Sequence, residues 1–207
     1  MDQQPEVKCL FSVPVYETKI DIEKPILNNL LKTKLEFMKH VGNGHISKEK
    51  NILNNKKFKS LKKVIENHVN AYFHEVLQIR RNCKLYLKNS WITKHQTNDF
   101  TQIHHHANSI VSVILYLKNT EGTGDLVLYR PENMDFLPGN FQFKHYSFNM
   151  LNAQAFTINP SDGLLVIFPS HLKHSAKANL TNFDRYLLSC DFYIKGNVGI
   201  NGFELKL

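Results

Sequence analysis

Hydrophobic residues follow two different rhythms along this chain, and the change falls near residue 84. Before it, apolar positions recur at three- and four-residue steps. Ile26, Leu27, Leu30, Leu31, Leu35 and Met38 form one stripe, opened by Pro25 and stopped by Gly42 and Gly44. Phe58, Leu61, Val64, Ile65, Val69, Tyr72, Phe73, Val76 and Leu77 form a clearer one, backed by Lys62, Lys63, Glu66, Asn67 and Asn70. The spacing predicts helices over about 25–40 and 57–79. His68 and His74 lie on the second and read as packing or solvated side chains. Ahead of both, residues 10–16 read as a short extended segment with an edge-type Pro14.

After residue 84 the period is two. Strands are expected at 84–95, 100–106, 110–118, 125–130, 145–150, 154–159, 163–168, 171–178 and 184–194. Turn chemistry separates them, as at Thr97-Asn98-Asp99, Pro138-Gly139-Asn140 and Pro160-Ser161-Asp162-Gly163. Strands after helices, without βαβ alternation, argue an antiparallel sandwich or barrel with a helical flank. A chain of 207 residues suits one domain. The boundary near 82 then divides two layers of that domain, because the helices need the sheet to bury their stripes. The segments are 1–82 (strand and helical flank), 83–195 (core) and 196–207 (tail).

Composition narrows the setting. No apolar run reaches the roughly 18 residues of a membrane span, and Met1–Glu6 is too polar for a signal peptide. Cys9, Cys83 and Cys190 are far apart and odd in number, which predicts a reducing, cytoplasmic location and neither disulfides nor a thiolate zinc site. The net charge of +8 sits in residues 1–90, where 17 Lys/Arg face 9 Asp/Glu; residues 91–207 hold 9 of each. Lys outnumbers Arg 22 to 4. Bidentate phosphate recognition favours Arg, so the excess reads as solvated helix faces and nucleic acid is not the expected partner.

The candidate chemistry lies in two histidine clusters, His104-His105-His106 and His171-Leu172-Lys173-His174. In a strand, residues i and i+2 share a face while i+1 points away. His104 and His106 can therefore converge on one metal, and His105 cannot join them. His174, in an extended run after the corner at Pro169, is the best third ligand. Three imidazoles suit iron, zinc, copper or nickel. His145 and His171 are weaker candidates. Arg185, one of four arginines, opens the last long strand among Tyr186, Leu187 and Leu188. An Arg pointing into a sandwich needs an anion, and its planar fork matches a carboxylate. The bland alternative is a structural pair with Asp184 or Asp191.

These stretches resemble a family of 2-oxoglutarate/iron(II) oxygenases of marine bacteria and their phages. That family's pattern runs S-W, H-x-H-P-N-S with S-G-V-Y-Y-L, F-P-S-x-L-x-H, then N and R. The matching residues are Ser90-Trp91, His104 to Ser109, Ser112 to Leu117, Phe168 to His174, Asn179 and Arg185. Leu10 to Val15 also resembles the family's start. The resemblance implies a mainly β fold, a double-stranded β-helix (jelly roll, cupin-like) with flanking N-terminal α-helices. It implies iron(II) on His104, His106 and His174, and 2-oxoglutarate as cosubstrate with O₂. Arg185 would hold the far carboxylate, assisted by Tyr116, Ser112 and Asn108. It further implies a bacterial or phage-infected cell.

Departures from the pattern carry their own implications. His106 stands where most of the wider superfamily has a carboxylate, which makes the site more cationic. Ala107 replaces Pro, Val113 replaces Gly, and Leu187 replaces a small hydroxylated residue near the expected carboxylate anchor. The expected activity is oxidative decarboxylation of 2-oxoglutarate to succinate and CO₂ with hydroxylation of a small molecule or protein side chain. The competing readings are a three-His zinc or cupin-type enzyme and a non-catalytic jelly-roll binding protein. The insert Glu132–Asn152 reads either as a lid or as plain packing.

Overall fold

The computed structural model describes residues 6, 8, 10–134, 143–200 and 202–207. Its elements run β1 (Tyr16–Lys19), α1 (Lys24–Leu31), β2 (Leu35–Phe37), β3 (His45–Ser47), α2 (Lys59–Ala71), β4 (Cys83–His95), β5 (Thr101–His104), β6 (Val111–Lys118), β7 (Leu126–Tyr129), β8 (Ala155–Ile158), β9 (Leu164–Pro169), β10 (His174–Ala176), β11 (Arg185–Val198) and β12 (Leu205–Lys206). All the strand pairs are antiparallel. The larger sheet has the order β1-β9-β6-β11-β4-β3-β2, with β12 on the end of β11. The smaller has the order β5-β10-β7-β8.

Side-chain alternation on the central strands sorts the core into two layers. On β6, Val113, Leu115 and Leu117 face the helices, together with Leu165 and Ile167 of β9 and Leu188 and Cys190 of β11. Leu30, Leu61, Ile65 and Val69 close that layer from α1 and α2. Ile114, Tyr116, Val166, Phe168 and Leu187 face the other way, against Leu126 and Leu128 of the smaller sheet. Helices and larger sheet therefore share one core. The space between the two sheets is left for chemistry. This is the antiparallel sandwich that the alternation predicts and the mainly β jelly roll that the resemblance implies.

Three expectations are corrected. The first helix ends at Leu31 and does not run to 40. Leu35-Glu36-Phe37 instead alternates and pairs with His45–Ser47 across a turn in which Gly42 and Gly44 take φ of 138° and 113°. An added Cβ at Gly42 would lie 2.3 Å from the Phe100 carbonyl oxygen, so the turn requires glycine. Residues 145–150 form no strand. Asn149 Oδ1 accepts from Leu151 N at 2.8 Å and Asn152 Oδ1 accepts from Asn149 N at 2.8 Å. These local bonds compete with a ladder. The expected extended segment at 10–16 enters the sheet only from Tyr16. The second helix agrees with expectation, with a π turn at Tyr72–Val76 extending α2. Part of the insert, 135–142, including Pro138-Gly139-Asn140, lies outside the described residues, as does Cys9. Among the described residues no helix is long and apolar enough to cross a membrane.

Candidate metal and cosubstrate site

A cavity of about 280 Å³ opens between the sheets. Trp91 and Thr93 of β4, Leu187 and Ser189 of β11, and Ile114 and Tyr116 of β6 form its floor. The smaller sheet supplies His104 and His174, and Met38 and Val41 reach it from the β2–β3 turn.

His104 and His174 are direct cross-strand neighbours on β5 and β10, with ring centroids 4.3 Å apart. β5 ends at His104, so His106 lies just beyond it, placed by its own N–H donating to the Ser170 carbonyl at 3.0 Å. One ligand atom from each of His104, His106 and His174 can lie within 4.8 Å of the others, and these three form a metal-competent cluster. His105 is exposed and stands outside it, although it touches the cavity rim. His171 is also exposed, and His145 packs on Phe148 away from the cluster.

Each ring has one nitrogen tied off. Nδ1 of His104 is 2.8 Å from the Gln102 carbonyl, and Nδ1 of His174 is 2.9 Å from the Leu172 carbonyl. His106 Nδ1 is 2.6 Å from Asp191 Oδ1. Protons on those Nδ1 atoms leave all three Nε2 atoms as lone-pair donors, the arrangement of metal-ligating histidines. Burial pushes His174 down to about 3, reinforced by His104, and burial likewise lowers His104. Both are thus neutral imidazoles near pH 7, the form that binds a cation. The donor set fits a divalent transition metal.

Arg185 is fully buried. Its Nη1 donates to the Gly124 carbonyl, and Nη2 donates to His95 Nδ1 at 2.7 Å and to the Lys177 carbonyl at 3.4 Å. Its Nε has no partner. Neither sequence-level counterion is available: Asp184 pairs with Lys94 at 2.9 Å, and Asp191 with His106. Among the described residues no carboxylate lies within ion-pair distance of this guanidinium. A buried cation without a close counterion is costly; burial lowers its pKa, partly offset by Tyr116, Asp125 and Asp99 nearby. Tyr116 stands near enough for charge coupling with Arg185 and is itself buried, which pushes its phenol up to about 12 and keeps its hydroxyl a donor.

Two other residues singled out with the cosubstrate lie elsewhere. Ser112 shares a strand face with Tyr116 but sits behind His106, its hydroxyl 2.9 Å from His106 Nδ1 and 2.8 Å from Ser170 Oγ. Four residues of strand, roughly 13 Å, separate it from Tyr116. Asn108 is exposed and takes φ of 63°, so it serves the turn after the histidines.

Several motif residues act as framework. Ser90 faces the helix side and accepts from Leu53 N at 2.9 Å, which turns Trp91 inward, 5.4 Å from the His106 ring. Asn179 is buried and donates to the carbonyls of His95 at 3.1 Å and Phe183 at 2.7 Å, tying down the turn that delivers Arg185. His95 carries no functional signal in the sequence, and Asp191 figures there only as an alternative partner for Arg185. The available signal was an acid inside the apolar run Leu187–Phe192.

Comparison with known proteins bears on this geometry. Residues 89–191 match a family model described as "Putative 2OG-Fe(II) oxygenase". A comparison with curated proteins finds no match. Among solved structures, the chain is similar to a Pseudomonas putida prolyl-4-hydroxylase, with 12% identity, 88% of this chain and 93% of that one covered, and a TM-score of 0.58. It is also similar to the α-ketoglutarate-dependent epimerase SnoN of nogalamycin biosynthesis, with 12% identity, 89% and 81% covered, and a TM-score of 0.61. A third is HygX from Streptomyces hygroscopicus with nickel and 2-oxoglutarate bound, with 9% identity, 87% and 83% covered, and a TM-score of 0.58. At these identities the shared property is the fold.

Proposed function

We propose that the chain is a 2OG-Fe(II) oxygenase, the family whose model matches residues 89–191, and that it binds iron(II) on His104, His106 and His174 and seats 2-oxoglutarate between that ion and Arg185. The observation that carries the reading is Arg185 itself, a buried guanidinium with an unpartnered Nε and no ion pair among the described residues, on the strand that floors the cavity. A dicarboxylate supplies the missing charge through parallel charge-assisted hydrogen bonds. A zinc hydrolase has no use for such a group.

Bound iron(II) with 2-oxoglutarate and O₂ supplies the oxidative decarboxylation and the hydrogen abstraction, and hydroxylation is the default outcome. The protein's part is placement and shielding. His104, His106 and His174 would hold the ion through their Nε2 atoms, from one wall of the cavity. Arg185 fixes the far end of 2-oxoglutarate, and the Tyr116 hydroxyl donates beside it. Leu187 stands where a second polar anchor would be, so the far carboxylate depends more on Arg185. Trp91, Ile114, Leu126 and Leu187 keep the cavity dry. Ser112 and Asn108 act on the framework and not on the cosubstrate. Residues 1–207 act as a single domain, because helices and sheet share one core. The buried free thiols of Cys83 and Cys190 suit the reducing cytoplasm.

Anaerobic titration tests the reading. Iron(II) followed by 2-oxoglutarate should raise the visible charge-transfer band of the ternary complex, and air should then release succinate. Bound iron with no band and no succinate would refute it.

A further inference from the structure

We infer that Asp191 is a positioning residue of the metal centre, supplying from behind His106 the negative charge that an acidic ligand would supply directly. The inference rests on the reading of His104, His106 and His174 as ligands. Its own evidence is a charged group that the cosubstrate chemistry leaves unused. Asp191 is 7% exposed and lies inside the sandwich, where an ionised carboxylate is costly unless paired. Among the described residues its one ionic contact is His106 Nδ1 at 2.6 Å. Among the described residues no Lys or Arg forms an ion pair with it.

The surroundings hold the pair in one geometry. Asp191 and Ser112 are cross-strand partners on β11 and β6, and Ser112 Oγ lies 3.3 Å from Asp191 Oδ1. Ser112 is braced by Ser170 Oγ at 2.8 Å, which in turn meets Ser109 Oγ at 2.8 Å. The Ser170 carbonyl takes the His106 backbone N–H at 3.0 Å. One corner therefore fixes both the backbone and the ring of His106. His104 and His174 receive no such treatment, for their Nδ1 atoms meet neutral backbone carbonyls.

The asymmetry has a chemical meaning. Three neutral imidazoles leave the full double charge of a divalent ion in place, whereas two imidazoles and a carboxylate cancel one unit. A short charge-assisted hydrogen bond from His106 to Asp191 moves electron density onto the ring and makes Nε2 a stronger donor. The carboxylate is retained one hydrogen bond farther from the ion.

The test is iron(II) affinity, measured anaerobically by chelator competition in the full chain, for four proteins: wild type, Asp191→Asn, His106→Asp and His106→Asp/Asp191→Asn. Asp191→Asn keeps the shape and removes the charge. It should weaken iron binding about 10- to 100-fold, while the apoprotein's thermal midpoint stays near that of wild type. With Asp at 106 the ring that carries the hydrogen bond to Asp191 is gone, so Asp191→Asn should cost iron affinity much less there than beside His106. Unchanged affinity in a folded Asp191→Asn protein overturns the inference, and so does an equal loss in both backgrounds. Should Asp191→Asn alone fail to fold, the His106→Asp pair decides: a loss of about tenfold or more within that pair overturns the inference. A wild type without iron affinity sinks the oxygenase reading as well, whereas tight binding indifferent to Asp191 sinks only this inference.

Discussion

Arg185 and His95 stand opposite each other on β11 and β4, and the guanidinium Nη2 donates to His95 Nδ1 at 2.7 Å. That bond requires a neutral imidazole whose Nε2–H points at Thr101 Oγ1, 3.1 Å away. A protonated His95 would have no acceptor to offer and would add a second buried cation.

The pair sets a pH dependence of stability. Burial first, and the Arg185 charge second, push His95 down to about 3. An unfolded histidine takes its proton near pH 6.5. The contribution is therefore complete above pH 6.5 and is lost as pH falls toward 3, by about 1.4 kcal/mol per pH unit. Equilibrium unfolding of the metal-free protein between pH 7 and 4 should show this slope, and His95→Asn should flatten it by about one proton. An unaltered slope in the variant would count against the pairing.

Arg185 substitutions should separate cosubstrate from metal. Arg185→Lys keeps the charge but loses the fork, so it should retain partial 2-oxoglutarate binding. Arg185→Leu should abolish succinate release while bound iron stays at the wild-type level. Wild-type turnover by Arg185→Leu would remove the assignment.

Gly124 offers a route to the same end without touching a charge. It takes φ of 94°, and an added Cβ would lie 2.2 Å from the Lys177 carbonyl oxygen and 2.8 Å from Arg185 Nη1. Gly124→Ala must therefore shift the turn before β7 that Arg185 leans on. The expected result is 2-oxoglutarate binding weaker by about tenfold or more, as an angstrom-scale misplacement produces, with iron affinity preserved. Loss of both together would mean that the change unfolds the site as a whole.

An alanine series over the histidines should split cleanly. His104→Ala, His106→Ala and His174→Ala should each lose iron, whereas His105→Ala and His171→Ala should keep it. Iron content after anaerobic loading is the readout, and a His105→Ala protein as poor in iron as His104→Ala would contradict the ligand set.

How far the sequence could be read depended on the reach of each interaction. Period-two alternation pairs His104 with His106 and excludes His105, because the signal spans three residues. The apolar run of β6 announces a strand buried on both faces. The stripe predicts too long a first helix because Leu35 and Met38 continue it in phase, while the competing pairing of Leu35–Phe37 with His45–Ser47 depends on a glycine turn and a sheet partner. The supports of the site were hidden for the same reason. His95 lies 90 residues from Arg185 and Asp191 lies 85 residues from His106, and nothing local ties either pair.

β11 places Arg185, Leu187, Ser189 and Asp191 on one face at two-residue intervals, with the buried cation and the buried carboxylate roughly 20 Å apart. Deleting a single residue between them would turn one end of the strand over and carry its charged group into the aliphatic layer beneath α1 and α2, where neither charge has a partner. The strand's length between these two positions is thus a quantity that inheritance can alter only in steps of two. Substitutions along it can be absorbed one at a time, but an insertion or deletion of one codon there costs the fold and the chemistry together.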